Sequence, residues 1–396
     1  MRVLVLAQRL PYAPNRGDRL RVYHSLREIA AHARLDVAAL VHDDEEASHA
    51  GDLDGLAENV VTARIPRLRN VARAGTRLLG GTPLTHLLLD SPSIGPALQA
   101  LVGRIRPDVV LAFCSSMARF ALVRPLSDIP CVVDMIDADS AKWAALARDS
   151  RIPLRWIYER EAKLLGAFEV VAMRKAFTTL VVNEKERAAL GALGPGTRVQ
   201  VVENGVALDA FRPPRPPVDS ALVVFCGVMN YGPNEQGAVW LAREVWPLVR
   251  AARPNATLAL IGSSPSAQVQ RLASPTLGIG VTGAVADVQP YLWEAAVAAA
   301  PLQVARGVQN KVLEAVAAGL PCVVTPAVAE GLPREVMAAC HVSADAKEFA
   351  SALCDFLART PVERRARASQ ADLASLHWSA RLHPLMPILE AAARSR

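Results

Sequence analysis

Twice along this chain an unbroken four-residue apolar run leads into a turn-rich loop and then a helical pattern. The first is Val3-Leu4-Val5-Leu6, followed by Pro11, Pro14, Asn15 and Gly17 and an amphipathic stretch over 18–31. The second is Leu222-Val223-Val224-Phe225. A run with no polar alternation suits a strand covered on both faces, which is how strands sit in a parallel sheet. Further runs at 35–41, 109–113 and 131–133, and at 257–261, 279–282, 297–301 and 322–325, alternate with helical patterns. Strands alternating with helices predict an α/β fold with mainly parallel sheets.

Between the two openings lies Phe211-Arg212-Pro213-Pro214-Arg215-Pro216-Pro217. Proline fixes φ and removes donors, so this stretch cannot join a regular element and reads as a linker. At 396 residues the chain exceeds the size at which a single core stops growing. The expected plan is an N-terminal Rossmann-like domain over 1–210, a Pro-rich linker over 211–220 and a C-terminal Rossmann-like domain over 221–377. A last helix over 378–396 is expected to cross back to the first domain. Open α/β sheets hold ligands at the carboxyl ends of their strands, so two facing sheets predict a cleft.

Composition narrows the function. The hydrophobic share of 52% against 21% charged residues describes a packed globular protein. A net charge of +6 fits phosphate-bearing ligands or an anionic membrane surface. No aromatic and basic strand, zinc-finger spacing or recognition helix argues for nucleic acid, and none is expected as a partner. The six cysteines form no C-x-x-C pair and read as small hydrophobes in a reducing compartment. The opening apolar run is too short for a signal peptide, and no apolar stretch of about 18 residues occurs. A cytoplasmic location is expected.

The most informative segment runs from Ala300-Pro301 through Arg306-Gly307-Val308-Gln309-Asn310-Lys311 to Glu314. A strand ends, a glycine loop comes next, and a helix begins near Gly307 to Gln309. Free N–H groups at that helix start suit a phosphate anion. Lys311 and Glu314, three apart, share a helix face. The lysine suits a diphosphate and the carboxylate a ribose diol; the alternative is an exposed Lys–Glu pair. In the first half, Gly17 closes a loop at a strand's carboxyl end, where glycine permits close backbone approach. Asp134, Asp137 and Asp139 come after the 131–133 strand, and isolated carboxylates in a core are costly. Asp137 is expected to contact a sugar; the alternative is helix capping by Asp139 or Ser140. Residues 64–79 carry five arginines and no acid, a basic amphipathic pattern that can lie on an anionic bilayer. Residues 151–165, with Trp156 and Tyr158, are a second candidate for that role.

The stretch from Lys311-Val312-Leu313-Glu314-Ala315 to Gly319-Leu320-Pro321, followed by Glu330-Gly331-Leu332, resembles the donor-site motif of retaining family 4 glycosyltransferases. At finer grain, Pro11 to Arg19, Asp134 to Trp143 and Gly307-Val308-Gln309-Asn310-Lys311 resemble the exosortase-associated exopolysaccharide sugar transferases. The resemblance implies the GT-B fold, two Rossmann-like domains facing across a cleft. It implies hexosyl transfer from a nucleotide-sugar to a saccharide or polyprenyl-linked acceptor, with no cofactor and no metal. The site expected on these grounds has Lys311, Arg306 and Asp137 as catalytic residues. Gly17, Gly227, Asn230, Val285, Gly307, Gln309, Asn310 and Glu314 would bind the donor. The family places two glutamates eight positions apart here; Glu314 matches the second, and Arg306 stands where the first would be. Three alternatives remain: a nucleotide-sugar epimerase of the same fold, a Rossmann dehydrogenase and a non-catalytic membrane-associated scaffold.

Overall fold

The computed structural model describes residues 1–12, 17–148, 150–305 and 308–395. The chain divides into two units, Met1–Gly205 with Trp378–Arg396, and Val206–His377. The first unit therefore ends five residues ahead of the boundary expected at 210. The proline-rich segment falls inside the second unit, and the chain re-enters the first at Trp378.

The first unit holds β1 (Arg2–Ala7), β2 (Arg34–Val41), β3 (Asn59–Arg64), β4 (Val109–Phe113), β5 (Cys131–Ile136), β6 (Thr178–Val181) and β7 (Val199–Val201). Their order in the sheet is β3-β2-β1-β4-β5-β6-β7, with every pair parallel. In β1 the alternation works on both faces: Val3 and Val5 enter one apolar cluster, Leu4 and Leu6 another. This is why the run carries no polar residue. The first cluster includes Leu385, Met386 and Leu389 of the helix Leu385–Arg394.

The second unit holds β8 (Leu222–Cys226), β9 (Thr257–Ile261), β10 (Ile279–Val281), β11 (Val297–Ala300), β12 (Cys322–Val324) and β13 (Cys340–Val342). The order is β10-β9-β8-β11-β12-β13, again with every pair parallel. Counted from its own first strand, each unit therefore runs 3-2-1-4-5-6, the doubly wound Rossmann order, with β7 added as a seventh strand at the edge of the first. Strands β3, β6, β7 and β13 had no counterpart in the sequence reading. Three of the four are sheet edges and β6 lies next to one, and all but β3 are four residues or shorter.

The carboxyl ends of β8 and β9 are joined backbone to backbone. Gly227 N–H donates to Ile261 O and Met229 N–H to Ser263 O, both at 2.9 Å. Gly262 adopts φ +147°, and a Cβ there would stand 1.7 Å from Gly227 O. Only glycine satisfies both conditions. Gly262→Ala should lower unfolding stability by about 3 kcal/mol or more, whereas Gly280→Ala, whose Cβ would meet nothing closer than 3.9 Å, should change it little. Urea unfolding of the two variants compares them directly.

Candidate functional site

In a doubly wound sheet the chain leaves the first strand toward one side and the fourth toward the other. A crevice opens between their carboxyl ends. In the second unit these strands are β8 and β11, and the helix Asn310–Ala317 comes after β11. Lys311 reaches from that helix to the segment beyond β8. Its Nζ donates to Asn234 Oδ1 at 2.6 Å and lies 5.0 Å from the centre of the Phe225 ring. Asn234 is buried and its Nδ2 donates to Val228 O at 3.0 Å, which fixes which amide atom faces the lysine. A Cβ on Gly227 would stand 2.8 Å from Asn234 Nδ2, so glycine makes room for this asparagine. The helix Gly232–Trp240, which carries Asn234, comes equally close to the exit of β11: a Cβ on Gly237 would meet Pro301 O at 3.1 Å.

The electrostatics arise from burial. Lys311 is half-buried, and desolvation of its ammonium lowers its pKa to about 8, against the smaller attractions of Cys226 and Glu314. Glu314 is half-buried too; desolvation raises its pKa, and Lys311 opposes the rise. Both groups thus hold charge at a cost at neutral pH, with one face of each still open to solvent. The intervening Val312 and Leu313 are buried in the core, so the helix cannot turn to release either group. Its first N–H groups, at Asn310 and Lys311, have no acceptor within the helix and add positive potential there.

The other residues expected here divide by location. Gln309 is the N-cap position, half-buried, with φ −89° and ψ 90°; Asn310 is exposed at the first helical position. The helix thus starts at Asn310, slightly later than expected. Asn230 is exposed beyond β8. Val285 is half-buried against the core just past Gly283, which has φ +71°. Arg306 and Gly307 lie outside the described residues. Asn234 was missed by the sequence reading. The pattern Gly227 followed seven residues later by an amide side chain is its only sequence trace.

The first unit has its own polar cluster at the same topological place. Gly17 is the first residue of the helix Gly17–Ala30. From that helix, buried Arg21 donates through Nε to Asp134 Oδ2 at 2.8 Å and through Nη1 to Asn204 Oδ1 at 2.9 Å. Ser115 Oγ donates to Asp139 Oδ2 at 2.9 Å, and Ser116 Oγ to Gln8 Oε1 at 2.9 Å. Asp134 and Asp139 are therefore engaged internally. Asp137 is the exposed member of the three. Desolvation first, then Glu186, raises its pKa. Two residues without glycine's freedom sit beside it in the left-handed region, Cys114 at φ +66° after β4 and Ile136 at φ +65° at the end of β5. A β-branched residue there is strained, and such strain concentrates at functional sites. The register of β5 slips between Asp134 and Ile136, which aims Asp137 away from the ladder. Arg21, Ser115 and the two strained residues were not visible in sequence.

Among the described residues no group of three or more His, Cys, Asp or Glu is placed to hold a metal ion, and no helix is long and apolar enough to cross a membrane. The six cysteines are free thiols.

Two doubly wound units, each with charged residues at its switch point, define the class of Rossmann-like ligand-binding α/β proteins. Residues 220–359 match the family model for group 1 glycosyl transferases. Among solved structures, sucrose-phosphate synthase from Thermosynechococcus elongatus superposes with a TM-score of 0.63 at 15% identity, covering 100% of both chains. Anabaena HepE in complex with UDP gives 0.60 at 12% identity, covering 99% of this chain and 100% of that one. The α,α-trehalose 6-phosphate synthase of Burkholderia multivorans gives 0.58 at 15%, covering 100% and 99%. No curated protein sequence matches the chain. The whole chain has the GT-B fold, and its second unit carries the glycosyl transferase group 1 match.

The Lys311–Asn234 contact makes a direct prediction. Asn234→Asp places a carboxylate against the ammonium and should raise the lysine's pKa. In competitive acetylation read by mass spectrometry, wild-type Lys311 should be half-reactive near pH 8, and the variant's curve should move to higher pH. An unmoved curve would show that the two side chains do not meet in solution.

Proposed function

We propose that this protein is a glycosyltransferase that moves a hexose from a nucleoside diphosphate sugar to a saccharide or polyprenyl-linked saccharide acceptor in exopolysaccharide assembly. The observation that carries the reading is Lys311. It is a cation held at the β8/β11 switch point by Asn234, with Glu314 one turn further along the same helix. Diphosphate departure concentrates negative charge on the leaving group. A fixed ammonium and the open N–H groups of the Asn310–Ala317 helix are aimed to meet that charge without reorganising. Glu314, its pKa raised and its rim exposed, suits the hydroxyls of the donor's ribose. Gly227, Asn230, Val285, Gln309 and Asn310, which follow β8, β10 and β11 in the chain, are assigned to the same donor. Arg306 and Gly307 belong to the same loop by sequence, and Arg306 is assigned the far side of the diphosphate.

The donor's nucleoside is taken as uridine first, because one of the fold relatives is bound to UDP. Asp137, the solvent-facing acid among the three after β5, is assigned a sugar hydroxyl, and Gly17 a close backbone approach to the same substrate. Retention of anomeric configuration and independence of metal and cofactor belong to the same reading and rest on the motif resemblance at Lys311 to Glu314 and Asp134 to Trp143; a cytoplasmic location belongs to it too and rests on cysteine usage and the short apolar runs.

The deciding measurement is thermal stabilisation by a panel of UDP-, GDP- and ADP-sugars, since a ligand specific to the native state raises apparent stability. One member should stabilise the chain and be consumed with transfer of labelled sugar to an acceptor. A flat response overturns the donor site, and a labelled donor converted only to its epimer identifies an epimerase. Lys311→Met should lower the transfer rate by about 10²- to 10³-fold, the usual loss for one charge-stabilising donor. Glu314→Ala should weaken nucleotide binding and abolish most activity.

Binding should also be coupled to protons. A diphosphate beside Lys311 favours its charged form, so its pKa of about 8 rises on binding. At about pH 8.5 the complex should therefore take up protons. Calorimetry in buffers of different ionisation enthalpy measures the uptake, and Lys311→Met should remove it.

A further inference from the structure

One face of the first unit exposes apolar side chains among arginines, away from Asp137 and Gly17 in sequence and served by different elements. The helix Arg67–Thr76 touches the body along one edge only: Asn70 and Ala74 are its buried residues. Asn70 fastens it by donating to Leu88 O at 3.1 Å and Asp90 O at 2.7 Å. The rest faces outward. Leu68 is 90% exposed and, just beyond the helix, Leu79 is 87% exposed, with Val71 between them. One exposed leucine would be ordinary, but Leu68, Val71 and Leu79 gathered in one basic segment fit the pattern of an apolar contact surface rimmed by charge.

A second segment joins this one. Arg160, on the helix Leu154–Lys175, donates to Arg77 O, Gly80 O and Thr82 O, and neighbouring Glu161 accepts from Leu84 and Thr85 N–H. These bonds wrap the loop carrying Leu79 around that helix. Trp156 lies one turn before Arg160 on the same helix face. Trp156, Leu154 and Ile152, the last 83% exposed, extend the apolar points along the surface.

The charges decide the occupant. Residues 64–82 contain five arginines and no acid. Arg64 is engaged by Asp44 at 2.5 Å and Arg73 by Asp90 at 2.7 Å. Arg67, Arg69 and Arg77 remain, all exposed, with Arg151 exposed at the start of the second segment. Protruding single apolar side chains ringed by guanidinium groups fit an interface where apolar tips enter acyl chains and cations meet phosphate headgroups.

We propose that the helix Arg67–Thr76, the loop through Leu79 and the start of the helix Leu154–Lys175 form a docking face for an anionic lipid bilayer. The face lies in the first unit and shares no residue with the donor site, so either assignment can fail alone. It also accounts for how a lipid-linked acceptor would be brought to the enzyme.

The test is flotation of the full chain with vesicles of phosphatidylcholine alone and of phosphatidylcholine with about one third phosphatidylglycerol, at low and high salt. Wild-type protein should float with the anionic vesicles at least tenfold more than with the neutral ones, and high salt should reduce this. Leu68→Ser with Leu79→Ser should abolish flotation at constant charge. Arg67→Glu with Arg69→Glu should do so at constant apolar content. Both variants should keep wild-type circular dichroism and thermal stabilisation by nucleoside diphosphate. Equal flotation with both vesicle types overturns the proposal. So does flotation that survives the leucine changes. Absence of flotation by the wild type also overturns it and leaves a protein partner as the occupant of the face.

Discussion

The bond from Lys311 Nζ to Asn234 Oδ1 ties together the parts that matter in the second unit. It spans the switch point, joining the helix after β8 to the helix after β11. It exists because Gly227 leaves space for Asn234 and because Gly262 lets the β9 exit press against Gly227. Asn234 in turn has its amide oriented by Val228 O. Three residues with no charge therefore determine where one charge stands. A substitution at any of them would disturb the support on which the ammonium rests.

The strands that build this arrangement were legible because they are buried on both faces. Runs such as Val3 to Leu6, 109–113, 258–261 and 297–300 have no polar residue to interrupt them. Their order in space was not legible, because parallel pairing and right-handed crossovers narrow the possible orders without choosing one. The strands that escaped were β3, β6, β7 and β13. Three of these are too short for periodicity to register, and β3 is only half covered, with the sequence Asn-Val-Val-Thr-Ala-Arg. Lys311 and Glu314 were readable from their spacing on a helix after a glycine loop. Asn234 was not, since nothing local distinguishes it from other asparagines near a helix start. Its partner is 77 residues away.

The first unit shows the same limit in another form. Three aspartates within six residues, Asp134, Asp137 and Asp139, looked alike in sequence. Long-range contacts separate them. Arg21, 113 positions from Asp134, takes that carboxylate into the interior, and Ser115 takes Asp139. The slipped register at Ile136 then turns the remaining acid outward. Burial raises the pKa of all three, but a desolvated carboxylate means different things in the three places. Asp134 is compensated by a guanidinium, which is a structural tie, whereas among the described residues no cation stands in hydrogen-bond contact with Asp137.

The pair Lys311 and Glu314 carries the same distinction further. A lysine whose folded pKa is lowered to about 8 destabilises the native state wherever it is charged. Below about pH 8 the whole penalty is present, and stability recovers as pH rises from there toward the unfolded value of 10.5, because the unfolded chain then binds more protons. Glu314 has the opposite sign: its raised pKa makes the folded state hold a proton longer, so its ionisation costs stability as pH increases through the acid range. At neutral pH both penalties act together, and their mutual attraction offsets each only in part. Folding alone would favour apolar residues at both positions, packed beside Val312 and Leu313. A charge kept half-buried against that preference, oriented by an asparagine that is itself fixed, is placed for a ligand whose own charge completes it.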